Sequence, residues 1–383
     1  MQLFFYGFTH DVHSNIQEFS GNIYLENILS NPEYGTLSLK NVNYENTRYL
    51  SFLPYLPSTI VMFVCRLFNV PVLVMFLLSR LINLCICMML CYYAIKIIPR
   101  YKKIFVLIAM FPIFFQQAIG LNMDYLTNSV ALILIALIIR YRILKIKLKA
   151  KQLIYISLLG IIVGLCKFGY FPLLWLILLI PNDKFINKKV AIWYKILYII
   201  IPLIISFSFN LFAISNPSSN NDFYSISTLL RNPIYSAKIF IKTIIYRLDL
   251  DLFRGFIDGF GWSTKYYISP ILWIISSIYI IILFVNDDVK NNFSNIEKVF
   301  ILSIGIIIYF LVYLICFVGW TRVGSDMING IQSRYIIPCL PLLYMSLSND
   351  FIIFNVKNKY KMYTILLSII QLLVVFTLIK SFY

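Results

Sequence analysis

The sequence predicts an all-α protein, a polytopic bundle of transmembrane helices, and three observations lead to that prediction. Of the 383 residues, 60% are hydrophobic and 13% are charged, whereas soluble domains average about 45–50% apolar and about 25% charged residues. The mean hydropathy is +0.82. Apolar runs of about 20 residues, which is the length a helix needs to cross a bilayer, recur along the chain. These observations exclude a soluble multidomain protein, a disordered chain and a disulfide scaffold.

Ten segments are predicted to be transmembrane helices. They are 72–95, 104–120, 125–141, 152–166, 169–181, 194–214, 269–286, 299–319, 335–348 and 362–381. Segment 52–69 is interrupted by Pro54, Pro57 and Arg66, so we expect a re-entrant or interfacial helix there. Residues 1–8 are too short to cross a bilayer, and a helix upstream of them would bring the number of spans to eleven.

We expect a single integral membrane domain, residues 1–383. Its four parts are a first outer loop with the re-entrant or interfacial helix (1–71), a first helix group (72–214), a large outer loop (215–268) and a C-terminal helix group (269–383). Within the first long span, Arg80 and Asn83 are expected to face the interior of the bundle, because exposing them to lipid is costly.

The charged residues predict which loops share one side of the membrane. Lys and Arg cluster at 96–103, 140–151, 184–195, 290–298 and 357–361, and cytoplasmic loops carry such an excess. The first 50 residues, the loop 215–268 and the short loops near 121–124, 167 and 320–334 are therefore expected outside. Eleven of the 16 acidic residues then face the exterior, so any carboxylate chemistry is expected on that face.

Several functional classes are disfavoured. The net charge of +17 does not indicate nucleic-acid binding, because the basic clusters alternate with apolar runs and form no continuous face. The seven cysteines lie in or beside apolar stretches without metal-ligand spacing, so no metal site is predicted, although a divalent metal stays open as a cofactor. The absence of a GxxxxGK(S/T) loop and a GxSxG motif disfavours ATP-driven transport and cytosolic sugar-nucleotide chemistry.

Two acids are candidate catalytic residues. Asp11 lies close to His10, His13 and Glu18 in the first outer segment, and it could act as a general base toward a sugar hydroxyl. The alternative is an ordinary solvated loop. Asp124 begins a span at its outer end, where a carboxylate caps free N–H groups and complements the helix dipole. An acid at a membrane boundary is equally a candidate for a functional site, so both interpretations of Asp124 stay open.

Candidate phosphate-binding residues lie in two other outer segments. Lys167, between two apolar runs, either extends its ammonium to the lipid headgroups or lies beside a lipid-linked phosphate. The run GWTRVGSDMINGIQSRYIIP brings Arg322, Gln332, Arg334 and Tyr335 close together. Arginine presents planar donors that suit phosphate, and the alternative is anchoring to anionic headgroups.

The outer loop 215–268 is predicted to carry an interfacial amphipathic helix that starts near Pro233. Apolar side chains lie along one side of this helix and polar side chains along another. The run RGFIDGFGW follows, in which glycines permit a tight turn and Trp262 adds a large aromatic side chain. The loop is expected to be either a lid packed on the bundle or a surface for substrate entry, and Trp262 and His13 complete the candidate substrate contacts.

Landmarks along nearly the whole chain carry a family resemblance. They are LPYLPSTIVMFVCRLFNV (53–70), LSRLINL (78–84), IGLNMDYLTNSVALIL (119–134), CKFGYFPLL (166–174), RNPIYSAKIFIKTI (231–244), GFIDGFGW (255–262) and VGWTRVGSDMINGIQSRYIIPCLPLL (318–343). They resemble the bacterial membrane proteins of domain of unknown function 2142. That family in turn resembles the C-type (GT-C) membrane glycosyltransferases, which take sugar from a polyprenyl-phosphate donor at the outer face of the cytoplasmic membrane.

The resemblance implies a function and roles for residues. It implies a multi-pass protein of the bacterial cytoplasmic membrane that transfers sugar to a cell-surface polysaccharide or other glycan acceptor. Asp11 would be the base, and Lys167, Arg322 and Arg334 would steady the leaving phosphate. Two alternatives remain, a repeat-unit polymerase of O-antigen or capsule and a flippase for lipid-linked glycans. A transporter would favour inverted repeats with broken helices in two halves, and the sequence shows no such symmetry.

Overall fold

The structure is a computed structural model, and it describes residues 51–214, 223–258, 277, 293–347 and 358–382. Several predictions lie outside the described residues. They concern Asp11, His13, Trp262 and nearly all of the predicted span 269–286.

The described residues are helical, which confirms the predicted all-α class. The α-helices are α1 (Leu56–Leu67), α2 (Val72–Ile97), α3 (Lys102–Ala109), α4 (Pro112–Ala118), α5 (Asp124–Ile143), α6 (Ala150–Cys166), α7 (Lys188–Ile214), α8 (Ile226–Arg231), α9 (Pro233–Asp249), α10 (Gly255–Asp258), α11 (Asn295–Trp320), α12 (Leu340–Leu347) and α13 (Lys359–Phe382). The 3₁₀ helices are Leu53–Tyr55, Phe168–Leu179, Asn182–Lys184 and Ser333–Cys339, and Leu250–Arg254 is a π-helical turn. Phe223 and Arg322 form an isolated β-bridge.

Four of the described helices are long and apolar enough to cross a membrane. They are α2, α5, the Lys188–Ser208 part of α7, and α11, and they match the predicted spans 72–95, 125–141, 194–214 and 299–319. Shorter apolar helices, among them α6 and the 3₁₀ helix Phe168–Leu179, occupy other predicted spans. The protein therefore has several transmembrane helices.

Proline and local capping set the helix ends. Helix α2 follows Pro71 and ends where Ile98 turns extended before Pro99, because a residue that precedes proline avoids the α conformation. Pro112 divides the predicted span 104–120 into α3 and α4 for the same reason. Helix α11 begins with a capping box between Ser294 and Glu297, which satisfies backbone N–H groups of its first turn.

Helix α5 is the centre of the bundle. Buried residues make up 78% of its apolar stretch, against 28% for α2 and 22% for α7. The outer faces of α2 and α7 expose large apolar side chains such as Met89 and Trp193, as expected for helices that contact lipid. Arg80 Nε donates to the Ile119 carbonyl and the buried Asn83 donates to the Gly120 carbonyl. Both side chains therefore face the interior of the bundle, as predicted.

The loops group at two ends of the bundle. At the C-terminal end of α5, Arg142 pairs with Glu297 and Arg140 donates to the Ile97 carbonyl. Asp124 stands at the other end of this helix, about 30 Å away at 1.5 Å per residue. Among the described residues, Ile97, Arg142 and Glu297 therefore lie at one end of the bundle and Asp124 at the other. Which end faces the cytoplasm stays a prediction.

We expect Gly164→Ala to lower the free energy of unfolding by about 1–2 kcal/mol, the usual cost of mild overpacking. A Cβ at Gly164 would lie 2.5 Å from Ser206 Oγ and 3.3 Å from the Pro202 carbonyl oxygen, where α6 packs on α7. Adding Ser206→Ala should recover most of the loss. SDS-induced unfolding of the purified variants measures both effects, and an undiminished stability of Gly164→Ala would contradict this close packing.

Candidate functional site

Three of the predicted site residues meet at one end of the bundle. The Lys167 ammonium donates to Asp124 Oδ1, and Arg334 Nε lies 3.3 Å from Asp124 Oδ2. The Arg334 contact is an ion pair without hydrogen-bond geometry at Nε. The Asp124 side chain is 5% exposed, and the side chains of Lys167 and Arg334 are 22% and 26% exposed. One carboxylate thus holds two cations, and the three side chains together carry one surplus positive charge.

Asp124 is placed by the turn that precedes α5. Asn122 Oδ1 accepts a hydrogen bond from the Asp124 backbone N–H at 2.8 Å, so the polar group that closes this turn belongs to Asn122. The Asp124 carboxylate contacts Lys167 and Arg334. Asp124 is therefore part of an ion-pair cluster, while Asn122 supplies the capping oxygen of this turn.

Arg334 is held by a second set of polar groups. Its Nη1 donates to Gln117 Oε1 at 3.1 Å, and Gln117 Oε1 also accepts from Asn122 Nδ2 at 3.0 Å. Its Nη2 lies 3.5 Å from the Tyr335 hydroxyl. Gln117 therefore links the segment that carries Arg334 to the turn that carries Asp124.

Lys167 stands between α6 and the 3₁₀ helix Phe168–Leu179 in an extended conformation. Its ammonium lies 4.4 Å from the centroid of the Tyr335 ring, close enough for a cation–π interaction. The Tyr170 hydroxyl donates to the Tyr335 carbonyl at 2.9 Å and fixes this aromatic wall. The ammonium is turned toward Asp124 and not along the surface.

The three charged residues line a cavity of about 500 Å³. Aromatic and aliphatic side chains complete its walls, namely Tyr55, Phe168, Tyr170, Val312, Ile315, Trp320 and Tyr335. Ser51, the first described residue, also lines it. Charge on one wall and apolar groups on the others suit an amphiphilic ligand with an anionic group.

The other predicted residues have different surroundings. Arg322 is exposed, pairs with Phe223 in the isolated β-bridge and does not line the cavity. Gln332 is half-buried, and its Oε1 atom has no hydrogen-bond partner among the described residues. Within the described part of the chain, no three His, Cys, Asp or Glu side chains form a group that could hold a metal ion.

Sequence reasoning missed three residues that shape the site. Gln117, Asn122 and Tyr170 hold the charged residues in place, but none of them was singled out. A signal for the first two existed, because FPIFFQQAIGLN places amides at the end of an apolar run. Amides there need partners inside the bundle.

The long apolar helices define a helical membrane protein. The chain matches the family of predicted membrane proteins DUF2142 over residues 4–343. It therefore belongs to that family, which confirms the resemblance to domain of unknown function 2142. The further likeness of the family to GT-C glycosyltransferases stays a prediction. No curated protein and no solved structure matches the chain.

Proposed function

We propose that the protein is a membrane glycosyltransferase that takes sugar from a polyprenyl-phosphate-linked donor and acts at the outer face of the bacterial cytoplasmic membrane. The observation that carries the proposal is the cationic surplus of Asp124, Lys167 and Arg334 on one wall of an otherwise apolar cavity. A polyprenyl phosphate has the matching chemistry, since it joins one anionic group to a long apolar chain.

In the proposed reaction, an acceptor hydroxyl attacks the anomeric carbon of the donor sugar. The bond between that carbon and the phosphate oxygen breaks, the polyprenyl phosphate leaves with the electron pair, and the hydroxyl proton passes to a base. Lys167 and Arg334 stabilise the charge that develops on the phosphate. Orientation of both substrates by the cavity supplies a further part of the rate enhancement.

The two candidate catalytic acids take different roles in this proposal. Both oxygens of Asp124 face cations, so we assign Asp124 to holding Lys167 and Arg334 in place. The base is proposed to be Asp11, which precedes in sequence the cavity-lining residue Ser51. The acceptor is proposed to be a cell-surface polysaccharide or another glycan.

Farnesyl phosphate, a short polyprenyl phosphate, should bind the purified protein, and Arg334→Gln should weaken its binding. Loss of a charge-assisted hydrogen bond of about 1.5–3 kcal/mol corresponds to about a 10- to 100-fold change in dissociation constant. Isothermal titration calorimetry measures the affinity. Sugar transfer from a polyprenyl-phosphate-linked donor in isolated membranes should be lost in the same variant.

Arg322→Gln is the matched control, because it removes the same charge from the same outer segment but outside the cavity. We expect it to bind farnesyl phosphate like the unsubstituted protein. Equal weakening by both substitutions would indicate general attraction of anions and contradict the assigned site. Unchanged binding and transfer in Arg334→Gln would contradict the proposed function.

A further inference from the structure

The polar segment that follows α9 contacts the middle of a transmembrane helix. The hydroxyls of Tyr309 and Tyr313 donate to Asp251 Oδ2, the former at 3.2 Å. These tyrosines precede Trp320, the last residue of α11, by 11 and 7 residues, which places them about 16 and 10 Å inside that end of the helix. Asp251 therefore lies well inside the bundle.

Two further contacts place the same segment at similar depth. The Phe256 ring stacks on Phe111 with centroids 5.0 Å apart, and Phe111 lies at the break in the middle of the predicted span 104–120. Tyr344 belongs to α12, which follows the 3₁₀ helix that carries Arg334. Its hydroxyl lies 3.4 Å from the Leu252 carbonyl oxygen. Helices α11 and α12 and the break between α3 and α4 thus all contact residues 251–256 inside the bundle.

The region before α9 lies at the end of the bundle where the predicted outer loops meet. Tyr224 N–H donates to the Thr321 carbonyl at 2.9 Å, and the Tyr224 ring stacks on Phe317. Within α9, Lys242 forms an exposed ion pair with Asp326. The chain therefore passes from the surface to the interior between α8 and α10.

Asp251 is a charged residue that lies in the buried part of this segment. Its side chain is fully buried, and its Oδ1 accepts from Arg247 at 3.0 Å one helical turn earlier. Together with the two tyrosine hydroxyls, this contact gives the carboxylate three donors. A buried carboxylate is tolerated only with such pairing. The π-helical turn Leu250–Arg254 ends the regular helix at this point, and such turns are frequent at functional sites.

Gly255, which follows the π-helical turn, contacts Ser333, the residue that precedes Arg334. A Cβ at Gly255 would lie 2.0 Å from Ser333 Oγ and 2.7 Å from Ser333 Cβ, so the Gly255 backbone packs against the Ser333 side chain with no room for a methyl group. Ser333 is buried. The position of Ser333, and with it the start of the 3₁₀ helix that bears Arg334, depends on where Gly255 lies.

We infer that Pro233–Asp258 is a re-entrant element that enters the bundle from the surface, and that Asp251 is the positioning residue that anchors it beneath Arg334. The anchoring role concerns protein contacts alone, while the benefit to phosphate binding by Arg334 rests on the proposed function. The inference differs from an interfacial helix or an external lid, because in those arrangements both ends of α9 would lie at one depth.

Cysteine labelling tests the re-entry without any ligand. Ile234 and Leu248 are both exposed on α9 and lie about 21 Å apart along its axis at 1.5 Å per residue. In membrane fragments open on both faces, a charged maleimide should modify the Ile234→Cys variant and not the Leu248→Cys variant. The unsubstituted chain gives the background. Equal modification would overturn re-entry in favour of a solvated lid, and equal protection would overturn it in favour of an interfacial helix.

Asp251→Asn tests the anchor in the Leu248→Cys background. Loss of the charge leaves Arg247 without its partner, and each kcal/mol of lost local stability raises the population of the opened segment about fivefold. We expect the labelling rate of the Leu248→Cys position to rise about fivefold or more. Tyr313→Phe, a milder change, should raise it less, and Asp326→Asn should not raise it because Asp326 is exposed. Unchanged labelling in both Asp251→Asn and Tyr313→Phe would overturn the anchoring role.

Discussion

Asp124→Asn should lower the free energy of unfolding by about 3 kcal/mol, the lower end of the cost of breaking a buried ion pair. The substitution keeps the shape of the side chain but leaves Lys167 and Arg334 side by side without a counter-charge. We take the lower end because about a quarter of each cationic side chain is exposed. SDS-induced unfolding in mixed micelles measures the loss.

A second substitution separates electrostatic repulsion from lost packing. Lys167→Met in the Asp124→Asn background removes one of the two cations, so the double variant should be more stable than Asp124→Asn alone. The coupling energy from the complete cycle reports the ion pair. Additive losses would contradict the assigned electrostatic role of Asp124.

The same variant also reports on the anionic ligand. Without Asp124 the site carries two uncompensated cations, and a bound phosphate would replace the missing carboxylate. Farnesyl phosphate should therefore raise the Tm of Asp124→Asn by more than it raises that of the unsubstituted protein, since a ligand stabilises the state that it binds. Asp326→Asn, which removes an exposed acid paired with Lys242, serves as the control and should show the ordinary increase.

The sequence predicted the helices better than their interruptions. Runs such as 72–95 and 299–319 are long, apolar and free of internal proline, so hydropathy locates them. Pro112, Pro172 and Pro338 lie within other apolar runs, where the missing N–H and the restricted preceding residue shorten or break a helix. A hydropathy window counts those prolines as ordinary residues and therefore merges or lengthens the elements around them.

The sequence also named the charged members of the site but not their partners. Asp124, Lys167 and Arg334 stand out because each is an ionisable residue beside an apolar run, and the charge pattern assigns all three to one side. The difference between Arg322 and Arg334 was not predictable, because both lie in one short polar segment and only the fold directs Arg334 toward Gln117. Asp251 lies in the predicted outer loop 215–268, and its burial depends on tyrosines about 60 positions away.

Gly255→Ala should be strongly destabilising. The new methyl group would meet Ser333 and, at 2.6 Å, the Leu250 carbonyl oxygen, so either the π-helical turn or the segment before Arg334 must move. We expect a loss of about 3 kcal/mol in the free energy of unfolding, the upper end for overpacking. A shift of Arg334 should also weaken farnesyl phosphate binding about tenfold, equivalent to about 1.4 kcal/mol.

Gly319→Ala is the matched control, because it adds the same methyl group at a position with no atom within 4 Å of the new Cβ. It should leave both stability and farnesyl phosphate affinity unchanged. If Gly255→Ala loses stability but binds farnesyl phosphate normally, the contact with Ser333 supports the fold without positioning Arg334. A proportional loss of both properties, absent from Gly319→Ala, would connect the buried Asp251 turn to the cationic wall of the cavity, because Gly255 packs against Ser333, the residue before Arg334.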